Sequence, residues 1–300
     1  MIMHPCPLPS PALRALSLGA GVQSTTLLLL SAAGVIPRFD VAIFADTGWE
    51  PAAVYAHLDR LDGLVGREIP IRRVSAGDIR RDALDPDHHF VSMPLFALGP
   101  DGERGMARRQ CTREYKIAPI KAAVRALLGY PHPRRVPKGI YAEQAIGISV
   151  DEFHRAKDAD VGYLRNVFPL LSIGWTRVDC RAYLTTQGLA DTPRSACVGC
   201  PFHRDAEWRR LRDTDPAGWA QAVAFDEAIR HGYPKAGSRG MELRGTYYLH
   251  HSRRPLTEAD LNVPDGPDRS GGSGGQDQDA PSCSPWSCRG EESPAAGTPS

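Results

Sequence analysis

Residues 13–25 read LRALSLGAGVQST, from Leu13 to Thr25. Leu13–Leu18 is a short apolar run ending in Gly19-Ala20-Gly21, the pattern of a buried strand stopped by a tight turn. Ser24–Ala33 (STTLLLLSAA) is apolar and of helix length, and Gly34 stands where it can cap the helix end. A strand that turns directly into a helix is the first unit of an α/β fold, and the chain repeats that alternation outward. Phe39–Ala45 (FDVAIFA) reads as a second buried strand. Glu50–Leu64 has helical periodicity, with Val54, Leu58 and Leu61 on one face. Ile69–Val74 (IPIRRV) reads as a third strand. Strands alternating with helices predict a parallel sheet with right-handed crossovers.

Further along, the polar, Pro-containing stretch 84–110 reads as a loop or lid. Tyr115–Leu128 reads as a helix whose start Pro119 bends or delays. Glu143–Val150 is a strand, Asp179–Thr186 a short helix, and Cys197–Pro201 a turn. Asp205–Arg230 is helical in two pieces, broken at Asp215-Pro216. There is no internal repeat.

The chain has 300 residues, 42% hydrophobic and 24% charged, with net charge +1. That composition excludes a collagen-like, fully disordered or membrane-spanning chain, and a strongly polycationic nucleic-acid binder. Residues 262–300 carry two basic and six acidic side chains and almost no aliphatic ones, leaving +5 on residues 1–261. Such a segment buries too little apolar surface to offset its ordering entropy, so it reads as a disordered tail. The N-terminal MIMHPCPLPSP lacks a charged segment followed by an apolar one. Cytoplasmic location with reduced thiols is therefore the expectation.

The loop from Ser17 to Thr25 has the chemistry of a phosphate cradle. Gly19 and Gly21 permit backbone conformations that a side chain would block. The helix that follows aims free N–H groups and its positive dipole end at the loop, and Ser24 and Thr25 add hydroxyls. The equally simple alternative is a plain strand-to-helix turn. The sequence matches neither GxxxxGK[ST] nor GxGxxG. Gly19, Ala20, Gly21, Val22, Gln23 and Ser24 resemble the PP-loop, SGG-x-DS, of the adenine-nucleotide alpha-hydrolase-like (HUP) superfamily. Two positions depart from it: the family's Ser is Gly19 and its Asp is Gln23, which has no charge to attract Mg²⁺.

Two more segments carry the resemblance into the phosphoadenosine-phosphosulfate (PAPS) reductase branch. Phe44-Ala45-Asp46-Thr47-Gly48-Trp49-Glu50 matches FxDTGxE, which implies Asp46 as a nucleotide or metal contact; a capped helix start is the alternative. Gly147-Ile148-Ser149-Val150-Asp151-Glu152-Phe153-His154-Arg155 matches a G-I-x-x-x-E-x-x-R segment near the nucleotide. That likeness assigns Gly147, Glu152 and Arg155 to the site, against a surface ion pair between Glu152 and Arg155. The nucleotide-binding set is thus Ser17, Gly19, Ala20, Gly21, Gln23, Ser24, Thr25, Asp46, Gly147, Glu152 and Arg155.

Cys197-Val198-Gly199-Cys200-Pro201 can form a tight knuckle for one metal; a redox pair or coincidence are the alternatives. Cys111, within Arg109-Gln110-Cys111-Thr112-Arg113-Glu114-Tyr115-Lys116-Ile117-Ala118-Pro119, resembles the C[CT]xxxKxxP element of the same branch. There this cysteine joins the later CxxC around an iron–sulfur cluster. The resemblance, which spans roughly residues 13–205, thereby implies a [4Fe–4S] cluster on Cys111, Cys197 and Cys200. Its fourth iron would be open, as in some tRNA thiolases of the superfamily. Zinc, completed by His203, is the alternative. Cys180 lies in a helical pattern that suits a buried thiol. Cys6, Cys283 and Cys288 receive no role. Arg109 and Lys116 are the expected ligands of a phosphate or sulfate. Arg204, Arg209, Arg210 and Arg212 read as site groups or as a solvated face paired with Asp205, Glu207 and Asp213. Tyr247–Arg254 reads as a ligand-reaching segment or as a last core element.

The expected architecture is a parallel-sheet, HUP/Rossmann-like PP-loop domain at 13–190, a cysteine-bearing helical extension at 191–255 and the tail at 262–300. The expected activity is PAPS reductase-like: sulfur transfer or sulfonucleotide reduction with ATP or a PAPS-like nucleotide, with Mg²⁺ as a further candidate cofactor. The family's C-terminal ECG-[IL]-H motif is absent. The alternatives are ATP-dependent nucleic-acid thiolation, or a non-enzymatic nucleotide- or nucleic-acid-binding module with structural zinc. A sulfur- or electron-donor protein is the expected partner, and no membrane is.

Overall fold

The computed structural model describes residues 10–85, 87–88, 93–232 and 245–262. Five strands form one parallel sheet: β1 (Leu13–Ser17), β2 (Val41–Asp46), β3 (Ile71–Ser75), β6 (Ala142–Ile146) and β7 (Leu164–Val167). Their order is β3-β2-β1-β6-β7. The order therefore reverses between β1 and β6, and open α/β sheets bind ligands beyond the carboxyl ends of the strands at such a switch point.

Both faces of the sheet are covered, which is why its strands read as continuous apolar runs. Leu16 of β1 and Ala42 and Phe44 of β2 face α1 (Val22–Ala32), α2 (Ala52–Val65) and α6 (Arg177–Thr186). The alternate residues Ala15, Val41, Ile43 and Ala45 face α4 (Ala118–Leu127) through Ile120 and Val124. In α1, Leu27, Leu28 and Leu30 are essentially fully buried. Each contributes roughly 1.5–3 kcal/mol by leaving water.

A third apolar cluster lies beside the sheet. Trp208 and Leu211 of α7 (Asp205–Thr214) and Phe225 of α8 (Pro216–Ala228) pack there with Trp49, Tyr115 and Tyr247. Ile79 and Ala83 of α3 (Ile79–Leu84) join them. The C-terminal helices thus share their core with residues 49–115. The α7–α8 break falls at Asp215, whose side chain accepts the Gly218 N–H, with Pro216 opening α8.

The structure differs from the expectations at three places. The stretch read as a loop or lid contains a hairpin, β4 (Phe96–Leu98) and β5 (Arg104–Met106), and β4 also pairs with β8 (Thr246–Tyr248). Three-residue strands with Gly and Pro around them carry too little alternation to be legible. Strand β7 was not anticipated, because LRNV holds two polar residues. The third is a π-helical turn over Arg113–Ile117, after which α4 starts at Ala118 with Pro119 in its first turn, three residues later than Tyr115, in keeping with the delayed start expected of this proline. Short α5 (Pro169–Ser172) completes the element list. Residues 263–300, with Cys283 and Cys288, and residues 1–9, with Cys6, lie outside the described residues. Among the described residues no helix is long and apolar enough to cross a membrane.

Candidate functional site

The loop after β1 stands at the carboxyl edge of the sheet. Its left-handed residue is Ala20 (φ 55), whereas Gly21 is extended (φ −102, ψ 179). The glycines therefore do not supply the unusual backbone angle expected of them; Ala20 adopts it while fully buried. Ser24 Oγ accepts from the Gly19 and Gly21 N–H groups at 3.2 and 3.3 Å, folding the loop onto the helix start. Gly21 is the N-cap, and no side chain caps α1, whose first turn holds no acidic group. The positive end of this 11-residue helix therefore meets no acidic side chain in its own first turn. Ser17 Oγ is buried at the end of β1 and has no hydrogen-bond partner among the described residues.

Thr25 is placed differently from its neighbours. It is fully buried, and its hydroxyl meets His57 Nε2 of α2 at 3.1 Å. Burial lowers the His57 pKa to about 4, so the imidazole is neutral. Thr25 thus joins two helices instead of facing the cradle.

Gln23 is the centre of a buried polar network. Its Nε2 donates to Glu152 Oε2 at 3.0 Å and to Ser149 Oγ at 3.3 Å. Its Oε1 accepts from Arg177 Nη1 at 3.0 Å. Glu152, in the 3₁₀ segment Val150–Arg155, also accepts from Arg155 Nη1 at 2.7 Å. Burial raises the Glu152 pKa, opposed by Arg155 and Arg177. Gly147 permits the approach: a Cβ there would stand 2.9 Å from Gln23 Cβ and from the Ser24 nitrogen. Gly147, Gln23, Glu152 and Arg155 are thus brought together, with one another and under the loop. Arg177 joined them unseen, because an arginine at a helix start has no distinctive sequence signal.

Asp46 ends β2 beside this loop. Its Oδ1 accepts from the Gly48 N–H at 2.8 Å and from the Tyr55 hydroxyl at 2.9 Å. Among the described residues Oδ2 accepts no hydrogen bond, so a carboxylate oxygen remains for a ligand. The next residues turn inward. Thr47 Oγ1 donates to Glu50 Oε1 at 2.9 Å, and Lys116 Nζ lies 3.8 Å from the same oxygen, both side chains buried. Glu50 Oε2 is buried and has no hydrogen-bond partner among the described residues. Glu50 was visible in FxDTGxE but was not singled out.

The cysteine-bearing turn docks on this β2 loop. The Val198 N–H donates to Trp49 O at 2.8 Å. Gly199 lies flat on the Trp49 ring, where a Cβ would come within 2.0 Å of Cη2. Cys197 Sγ is 3.3 Å from Thr47 Oγ1 and donates to Glu50 Oε1 at 3.5 Å. The segment around Cys111 arrives at the same place: Lys116 reaches Glu50, and the Arg109 guanidinium stacks 4.7 Å over the Phe202 ring. Cys111 packs against the cluster that holds Val198 and Trp49. The second arginine group is partly a paired surface, with Arg212 on Asp213, while Glu207 takes the Arg194 guanidinium and the Arg204 backbone N–H.

The donor set can be tested for a metal. Around a single tetrahedral zinc, with Zn–S near 2.3 Å, sulfur atoms sit about 3.8 Å apart. Neither the three cysteines nor any two of them with His203 form a group with donor atoms within 4.8 Å. His203 Nε2 instead bonds Cys197 O at 2.9 Å, and burial and Arg194 lower its pKa to about 3. The single-zinc alternative does not fit this geometry. A [4Fe–4S] cluster spreads its ligands over a cube, and the donor chemistry of three thiols suits it. The buried, unpartnered Glu50 Oε2 and Thr112 Oγ1 mark the same neighbourhood as one where a bound group would be met. Cys180 is fully buried on α6, its pKa pushed up to about 12 by burial, and belongs to the core.

No protein-family model matches this chain, and no curated protein matches it.

Proposed function

We propose that the chain binds an adenine nucleotide through the loop Leu18–Ser24 and uses the neighbouring thiols for sulfur transfer or sulfonucleotide reduction, in the manner of a PAPS reductase-like PP-loop protein. The observation that carries this reading is the docking of the Cys197 turn on the loop after β2. Sulfur chemistry on a nucleotide needs a thiol or cluster near the phosphates. Here the Gly-rich loop ends β1, the neighbouring loop ends β2, and Leu18 N–H donates to Ile43 O across those strands at 2.9 Å. Asp46 Oδ2, the uncapped start of α1 and the Ser17 hydroxyl are the groups offered to the nucleotide. Lys116 and Arg109 supply positive charge beside the thiols. A [4Fe–4S] cluster, held by Cys111, Cys197 and Cys200, would supply electrons or an open iron for sulfide.

A second reading is a nucleotide-binding module that cleaves nothing. Gln23 favours it: the residue at the position of the family's Asp is neutral, and both ends of its carboxamide are committed to protein partners.

Calorimetric titration of the anaerobically purified full chain with ATP and with PAPS tests the proposal. Binding of either, weakened in Gly147→Ala, supports it. Absence of binding by both at millimolar concentration overturns it. A broad visible absorption that disappears in Cys197→Ser separates the cluster-bearing enzyme from the binding module.

A further inference from the structure

A side-chain cluster away from the cysteines has the form of a second metal centre. Asp205 opens α7, just after the cysteine turn. Its Oδ1 lies 2.8 Å from His250 Nε2 and 2.9 Å from His251 Nε2. Among the described residues these three form the one group of His, Cys, Asp or Glu donors that all fall within 4.8 Å of one another.

Two consecutive residues of an extended chain point to opposite sides. His250 and His251 instead aim the same ring nitrogen at one point, because they lie in the turn that follows β8. Their rings stack with centroids 4.2 Å apart. Asp226 holds this turn at both ends. Its Oδ1 accepts from the Leu249 N–H at 2.7 Å and its Oδ2 from the Leu256 N–H at 3.0 Å. The convergence is therefore built into the backbone.

Each group suits a ligand's role. Asp205, 1% exposed, sits in the first turn of α7 and offers a carboxylate oxygen. His250, also 1% exposed, has Ser252 Oγ 2.7 Å from Nδ1 and the Ser252 N–H at 3.2 Å. With the Ser252 N–H donating to it, Nδ1 accepts and Nε2–H donates to Asp205 Oδ1; a metal ion at Nε2 would take the place of that proton, and Nδ1–H would then face the Ser252 hydroxyl, the arrangement that orients metal-bound imidazoles. His251 is half-buried, so one side is open for entry and for an exchangeable ligand.

We propose that Asp205, His250 and His251 hold one divalent first-row transition-metal ion, clamping the turn after β8 to the start of α7. Two imidazoles and one carboxylate select zinc, iron(II) or cobalt(II) over magnesium or calcium, which take oxygen ligands. Three protein ligands leave a position for water. The site shares no ligand with Cys111, Cys197 and Cys200, and it stands whether or not the chain binds a nucleotide.

Cobalt(II) is the probe, added to the full-length chain after dialysis against a chelator under reducing, anaerobic conditions. Nitrogen and oxygen ligation gives visible d–d bands alone; thiolate ligation adds intense charge-transfer absorption in the near ultraviolet. The expected result is one cobalt bound with d–d bands and no accompanying thiolate signal. A thiolate component from the cysteines would add to these bands without replacing them. His251→Gln keeps a donor toward Asp205 and so protects the fold, which far-ultraviolet circular dichroism checks. It should weaken the nitrogen–oxygen component about 100-fold and leave any thiolate component unchanged. His251→Ala should do the same. Absence of cobalt binding, a purely thiolate spectrum, or unchanged binding in folded His251→Gln would each overturn the proposal. In that event the three side chains are two imidazole N–H groups donating to one carboxylate oxygen.

Discussion

Gln23 donates its carboxamide N–H to Glu152 Oε2 at 3.0 Å, across 129 positions of sequence. The bond requires a donor at position 23, and a carboxylate has none when ionised. An aspartate at position 23 would therefore set a second carboxylate against Glu152. Gln23→Asp should lower the unfolding free energy by about 3 kcal/mol near neutral pH, because two buried carboxylates would face each other. Glu152→Gln in the same chain should restore much of it. Urea denaturation of the single and double variants measures both, and no recovery in the double variant would refute the coupling.

His57 makes stability depend on pH. Its pKa falls from an ordinary 6.5 to about 4 because burial against Thr25 disfavours the imidazolium. Between those values the unfolded chain binds the proton more tightly than the folded one, so stability rises with pH across this window. It is lost as pH falls from 6.5 towards 4, by about 2–3 kcal/mol from this residue. His57→Gln, which can still bond Thr25, should flatten that part of the pH–stability curve. An unchanged slope would show that His57 carries no share of it.

Gly199 sets the position of the cysteine turn. Trp49 cannot yield to a Cβ there: it packs against Phe225 at 4.9 Å and donates from Nε1 to Gln221 Oε1 at 3.1 Å. Gly199→Ala should cost about 1–3 kcal/mol through overpacking. It should also make Cys197 more reactive to a thiol reagent by lifting the turn off Glu50. Protection equal to wild type would show that the turn adapts elsewhere.

The cysteines should separate by reactivity. Cys180 is fully buried with its thiol pKa raised to about 12, and the thiolate is the reacting form. Cys111 and Cys200 are half-buried. Alkylation of the native, metal-free chain followed by peptide mass analysis should label these two first and Cys180 only on unfolding. Early labelling of Cys180 would contradict its place in the core.

The parallel sheet was legible because β1 and β2 bury both faces and their glycine-bounded apolar runs say so. α7 and α8 were legible through Asp215-Pro216, a break with a chemical cause. β4 and β5 were not, since three-residue strands carry too little alternation; β8 falls on a stretch whose readings included a last core strand, but its pairing with the distant β4 has no local signal. At the candidate site, local motifs marked Asp46, Gly147 and Cys197 as residues of interest. They could not show that Gln23 and Thr25 face protein partners, because which way a side chain turns is decided by the packing of α2 and α6. His250 and His251 were conspicuous as a pair, but Asp205 reads from sequence as one more acidic residue at a helix start.

The pairing of Ala97 in β4 with Tyr247 in β8 also orders events in time. A chain leaving the ribosome can complete the parallel sheet once β7 has emerged, since N-terminal units fold first. β4 must wait for β8, and closing so long a loop is slow. Cys197 and Cys200 are synthesised between these two moments. During that interval the parallel sheet and the Trp49 loop already stand, while the third apolar cluster still lacks α7, α8 and β8.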